Sequence, residues 1–348
     1  MQPSSPASAT LMVGLPGPRL DGATRRRLAA LRPAGVILFG RNLDSPSQTI
    51  RLLQEMRESL AGAPLFAIDQ EGGSVSRLAP WIGDTPSAAK LAAGGTATLR
   101  GFGAALGDAV AALGFNLDFA PVVDLSAPDA ANGIGARSYG TDPARATALA
   151  RAFLQGLQGR GVAGCLKHFP GLGDTAVDSH QELPTVHRDR ATLLGVDIHP
   201  FRELAGQAAT IMVGHGHYPA LVPGEPRPAT CSLEVVGLLR GELAFTGLVV
   251  TDDMEMGAIG RRDRQGAAAV EALRAGCDLL LYCADLDRAE TARIAIEREA
   301  AHDHTFAGRV TDAAARVAHL AHRWPAATGT DHAWTAAQTS IRRFVESI

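Results

Sequence analysis

Cysteine is scarce in this chain and is not clustered. Cys165, Cys231, Cys277 and Cys283 form no CxxC pair and show no metal-ligand spacing. Cys165, Cys277 and Cys283 sit in or beside apolar runs, as small buried hydrophobes do. A reduced, cytoplasmic setting is therefore expected. Long apolar runs are missing too: none approaches the ~18 residues that span a bilayer. The opening MQPSSPASAT lacks the basic and then apolar stretches of a secretion signal. Charge of one sign is also lacking. The net charge is −3, and Arg25-Arg26-Arg27, the only basic cluster, reads as the wet face of a short helix. That leaves no field for nucleic acid or anionic lipid. No GxGxxG follows the first strand-like run, so a dinucleotide cofactor is not expected, nor is any other cofactor. Internal repeats and low-complexity linkers are absent.

What the chain does have is core-forming material, with 46% hydrophobic residues among 348. Eight apolar, β-rich runs recur: 11–15, 35–40, 64–69, 115–124, 162–169, 210–215, 247–253 and 277–283. Most lack period-2 alternation, as expected of strands covered on both faces. Helical patterns lie between several of them. Ser45-Pro46 reads as an N-cap with proline at the first helical position, followed by Ile50, Leu53, Met56 and Leu60. Leu99, Phe102, Leu106, Val110 and Leu113 form a second stripe that Gly114 ends. Asp142-Pro143 starts a third helix, and a fourth covers roughly 265–275. Strands alternating with helices imply an α/β fold with a parallel sheet. Eight of them favour a closed (β/α)8 barrel over an open doubly wound sheet. One domain over 1–348 is expected, with helices from about 288 to 348 on its outside.

Ionisable residues gather at strand ends: Asp69, Lys167 and His168, His215, and Asp252-Asp253. In a parallel barrel these ends share one face, the open mouth where barrel enzymes carry their active sites. A single strand-end aspartate is often only a helix cap. Five strand ends converging are not explained that way. After the fifth strand comes KHFPGLGDTAVDSH (167–180), the start of a loop too long for a plain connection. Asp178 and His180 stand two apart, so in an extended segment the carboxylate orients the imidazole for proton transfer. Gly171 and Gly173 read as hinges on which the loop, spanning 171–186, swings. A carboxylate facing such a proton donor across a cleft is the arrangement of retaining glycoside hydrolysis. Neighbours on a strand face opposite ways, so only one of Asp252 and Asp253 looks into the mouth. Spacing does not choose between them.

DQEGG (69–73), NLDFAPVVDL (116–125), IGARSYGTDP (134–143), KHFPGLGDTAVDSH and VTDDMEM (250–256) together resemble glycoside hydrolase family 3. The resemblance runs from about residue 11 to 320 and is narrowest to bacterial β-N-acetylglucosaminidases of the peptidoglycan-recycling type. It implies Asp252 as nucleophile and His180 as acid/base, with Asp178 as its partner. It further implies that Asp69, Arg77, Arg137, Lys167 and His168 form the sugar pocket, with His215 near it. The implied partner is a saccharide or muropeptide containing N-acetylglucosamine. Leu172 stands where the subgroup has histidine, and altered loop contacts rather than lost catalysis are expected. Three other readings stay open: phosphorolysis, a metal-dependent barrel hydrolase built on His215-x-His217, and an inactive sugar-binding barrel.

Overall fold

The computed structural model describes residues 4–60, 62–173, 183–260 and 264–348. The strands are β1 (Leu11–Gly14), β2 (Gly35–Leu38), β3 (Leu65–Ile68), β4 (Gln70–Gly72), β5 (Val75–Ser76), β6 (Leu117–Asp118), β7 (Ala163–Phe169), β8 (Thr210–Val213), β9 (Leu248–Asp253) and β10 (Leu279–Tyr282). The small antiparallel hairpin β4–β5 sits just after β3. The other eight strands are parallel and close into a barrel, with β10 returning to β1. Each of the eight apolar runs therefore supplies one barrel strand.

Pleating explains why those runs lack alternation. Met12, Ile37, Leu65, Ala67, Leu117, Phe119, Ala163, Cys165, Met212, Leu248, Val250, Leu279 and Leu281 fill the barrel interior. Their neighbours Val13, Val36, Phe66, Ile68, Leu166, Ile211, Val249 and Leu280 face outward and pack under the helices. Both faces are dry, so both are apolar.

Local signals set the helix ends. The Ser45 side chain accepts from the Gln48 amide at 3.2 Å to start the helix Pro46–Ser59. Asp142 does the same for Arg145 at 2.7 Å ahead of Pro143–Gln158. Gly114, at φ 107°, ends Gly95–Leu113 in the left-handed region that glycine tolerates. Arg25, Arg26 and Arg27 lie exposed on the short helix Gly22–Leu31. No helix among the described residues is long and apolar enough to cross a membrane.

The C-terminal helices do two different jobs. Asp331–Glu346 packs on the barrel's outer layer, with Trp334 edge-on to Trp81 at 5.7 Å and Phe344 against Phe102. His304–Arg323 instead closes the N-terminal end of the barrel: Val317, Leu320 and Ala321 join the interior cluster. Asp278, buried at the foot of β10, ties this end together. It accepts from Arg309 at 2.6 Å, Arg240 at 2.7 Å and the Val249 amide at 2.9 Å. Asp278→Ala should lower the unfolding free energy by about 3 kcal/mol, because it strands two arginines at a buried site. Denaturant titration of the two proteins measures the difference.

Candidate active site

The same pleat aims the chemistry. Strand positions 65 and 67 point inward, so Asp69 continues inward at the mouth. Positions 163 and 165 likewise lead to Lys167, and 248 and 250 to Asp252. Alternation then breaks: β7 shifts register between Leu166 and Phe169, and β9 between Val250 and Asp253, so His168 and Asp253 reach the mouth beside their neighbours and the expectation of a single inward aspartate fails. The cleft is lined by these residues with Glu71, Arg77 and Arg137, and walled by Ile37, Phe39, Phe119, Met212 and Leu281. The structure thus brings Asp69, Arg77, Arg137, Lys167, His168 and Asp252 to one place. Asp178 and His180 lie outside the described residues.

His215 sits differently. It follows Ile211 and Val213, the outward-facing set of β8, and is fully buried. Its Nδ1 lies 2.6 Å from the Thr230 hydroxyl and its Nε2 lies 2.9 Å from the Asp253 carbonyl. It braces the end of β9 from behind and is not part of the cleft lining. The neighbouring His217 accepts the Arg227 amide on Nδ1 at 3.3 Å. Among the described residues no group of three or more His, Cys, Asp or Glu is placed to hold a metal ion.

The acidic pair divides its labour. Asp253 accepts the amides of Glu255 at 3.0 Å and Cys283 at 3.3 Å, capping the turn after β9 and joining it to β10. Burial, together with the nearby charges of Glu255 and Asp252, pushes its carboxyl up to about 6. Burial works against ionised Asp252 as well. There the charges of His168, His215 and Lys167 and the Asp253 amide outweigh it, holding the carboxyl below the usual aspartate range. Adjacent residues with acidities pushed apart in this way suit different roles. Both border the cleft, and Asp252 is the one held below the usual aspartate range.

A string of alternating charge lines the opposite wall. Arg77 lies 3.8 Å from Asp69, Asp69 3.1 Å from Lys167, Lys167 2.7 Å from Glu71, and Glu71 2.7 Å from Arg137. Burial alone would discharge Lys167, but Glu71 and then Asp69 hold its ammonium above the ordinary lysine range. Burial would also raise Glu71, yet Lys167 and Arg137 keep it at about 2. Asp118, fully buried on the outward side of β6, goes the other way. Desolvation raises it well above the usual range, and its Oδ1 accepts the Gln70 amide at 2.9 Å.

Asp124 anchors the cleft from below. One oxygen lies 2.7 Å from His168 Nδ1 and accepts the His168 amide at 3.1 Å; the other accepts the Leu172 amide at 2.7 Å. The carboxylate fixes the imidazole proton on Nδ1 and leaves Nε2 for the cleft. Leu172 is buried in the wall, its side chain against Gly214 and Gly216. The expected hinges are in fact pinned. Tyr218 donates to the Gly171 carbonyl at 2.8 Å, and Asn132 to the Gly173 carbonyl at 2.7 Å. A Cβ on Gly173 would come within 1.8 Å of the Leu125 carbonyl oxygen, so glycine here permits close approach rather than swing.

Sequence reasoning did not assign Glu71, Asp118 or Asp124. All three stood inside the quoted motifs, in DQEGG and NLDFAPVVDL. The available signal was a carboxylate in a segment too apolar to leave it unpaired.

Known proteins give this geometry a context. A model of the glycosyl hydrolase family 3 N-terminal domain matches residues 11–320. A beta-hexosaminidase of Alkalilimnicola ehrlichii is 39% identical over 283 residues, covering 78% of this chain and 80% of that protein. One from Pseudomonas aeruginosa is 36% identical over 299 residues, covering 83% and 86%. Among solved structures, the family 3 beta-N-acetylglucosaminidase of Paenibacillus sp. FPU-7 superposes with a TM-score of 0.85 at 33% identity, over 96% of this chain and 67% of that one. Beta-N-acetylhexosaminidase of Beutenbergia cavernae gives 0.83 at 31%, over 91% and 97%. With the family model spanning nearly the whole barrel and relatives of this identity and coverage, the chain belongs to glycosyl hydrolase family 3.

Proposed function

We propose that this chain is a retaining β-N-acetylhexosaminidase. It removes terminal, non-reducing β-linked N-acetylglucosamine from peptidoglycan-derived fragments, in the cytoplasm, through a covalent glycosyl–Asp252 intermediate. The observation that carries the reading is the split acidic pair at the barrel mouth, with Asp252 held below the usual aspartate range and Asp253 raised above it. A carboxylate held charged in a partly desolvated cleft is a competent nucleophile toward an anomeric carbon. The relatives named beta-hexosaminidase supply the substrate class. Four free thiols fit a reducing compartment.

Asp252 attacks C1 while His180, oriented by Asp178, protonates the leaving oxygen. His180 then deprotonates water, which releases the sugar. The assignment of this pair rests on sequence spacing and family resemblance. Imidazole, with an ordinary pKa of ~6.5, suits both halves near neutral pH. Asp69, Arg77, Arg137, Lys167 and the Nε2 of His168 meet the sugar's hydroxyl and acetamido groups. Contacts that tighten as the ring flattens lower the barrier.

Two outcomes are expected. Incubation with a 2-acetamido-5-fluoro sugar should leave an adduct on the peptide containing Asp252, detectable by mass spectrometry. Asp252→Ala should cut kcat by roughly a thousandfold or more with an unchanged melting temperature. An adduct elsewhere, or near-normal turnover by D252A, would remove the assignment.

Asp253 generates a pH prediction. Its folded-state acidity near 6 lies above the unfolded value of about 4. The folded protein therefore binds the extra proton between those limits, and this contribution to stability is lost as pH rises through 6. Asp253→Asn should lack that decline. Denaturant melts of both proteins at several pH values across the window measure the difference.

A further inference from the structure

We infer that Glu71 is a positioning residue of the sugar site. It locks Arg137 and Lys167 into one arrangement, so that their remaining N–H groups are offered together to ligand oxygens. The inference rests on the sugar-binding roles proposed above for those two cations.

The geometry leaves Glu71 little else to do. Its side chain is only 7% exposed. Oε1 receives Lys167 Nζ at 2.7 Å and Arg137 Nη2 at 2.7 Å; Oε2 receives Arg137 Nε at 2.8 Å. A carboxylate has about four acceptor sites, and the protein's own cations fill three of them. Direct service to a ligand hydroxyl is a minor role for such a group. Its partners come from separate parts of the barrel: Glu71 from the β4–β5 hairpin, Arg137 from the turn Gly135–Arg137, and Lys167 from β7. Among the described residues, only this carboxylate touches both cations.

Donor arithmetic shows what the lock achieves. An ammonium has three N–H groups, and Asp69 and Glu71 engage two of those on Lys167. A guanidinium has five. Glu71 takes two on Arg137, and the Gly133 carbonyl takes a third at 2.9 Å. Each cation keeps spare donors in the cleft that both line. Without the carboxylate, two buried like charges repel each other and both lose their best partner. The site would still carry its cations, but in no fixed relation to a sugar ring.

A double-mutant cycle tests this, using kcat/KM on an aryl N-acetyl-β-glucosaminide, inhibition by free N-acetylglucosamine, and the melting temperature. Glu71→Gln and Arg137→Ala should each lower kcat/KM by roughly tenfold or more and weaken N-acetylglucosamine inhibition. The double variant should fall well short of the product of the two single losses, since E71Q acts in part through the arginine that R137A removes and only in part through Lys167. A general loosening of the fold would instead multiply with R137A, and that result overturns the inference, as does a near-normal E71Q. If R137A alone behaves as wild type, the sugar-site reading itself fails, which is a different pattern. Should E71Q not fold, E71D runs the same cycle, because it keeps the charge but withdraws it by one methylene.

Discussion

A closed barrel covered on both faces forces each strand to alternate between two dry environments, and the places where that alternation holds or breaks shape the mouth. An inward residue two steps beyond the last core layer meets the cleft; where β7 and β9 shift register, consecutive residues reach it together. Asp69, Lys167 and Asp252 inherit the inward phase from Ala67, Cys165 and Val250. His168 and Asp253 join them through those shifts, while His215 keeps the outward phase of Val213 and braces the wall.

Charge compensation follows from that placement. Five ionisable groups on one wall survive partial burial because they alternate in sign, from Arg77 through Asp69, Lys167 and Glu71 to Arg137. The opposite wall has no such string. There histidines, Lys167 and an amide hold Asp252 below the usual aspartate range, while burial and two nearby carboxylates raise Asp253. The site is a polar surface whose members are each explained by a named neighbour.

The fold was legible because eight apolar runs and strong caps such as Ser45-Pro46 and Asp142-Pro143 leave few alternatives. Strand phase was not. When both faces of a strand are apolar, GLVVTDD does not show that β9 shifts register at the mouth, where both aspartates border the cleft. For the same reason His215 read as a pocket residue. Glu71 escaped notice because its partners stand 66 and 96 positions away, on segments whose meeting is a product of barrel closure. Gly171 and Gly173 read as hinges because sequence shows the missing Cβ and not the Leu125 carbonyl packed against Gly173, nor the Tyr218 and Asn132 side chains that hold the two glycine carbonyls. The short helices His199–Leu204 and Leu233–Gly241 carried too few turns to announce themselves.

The helix His304–Arg323 seals the end of the barrel remote from the cleft, and it follows all eight strands in the chain. On the ribosome, the last strand emerges before its stopper does. For that interval Leu65, Leu248 and Leu279 have no lid beneath them, and the nascent barrel is a tube open at both ends. Vectorial synthesis therefore leaves the hydrophobic interior exposed until about 40 more residues have been added after β10, a window in which a chaperone or a neighbouring nascent chain competes for the same surface.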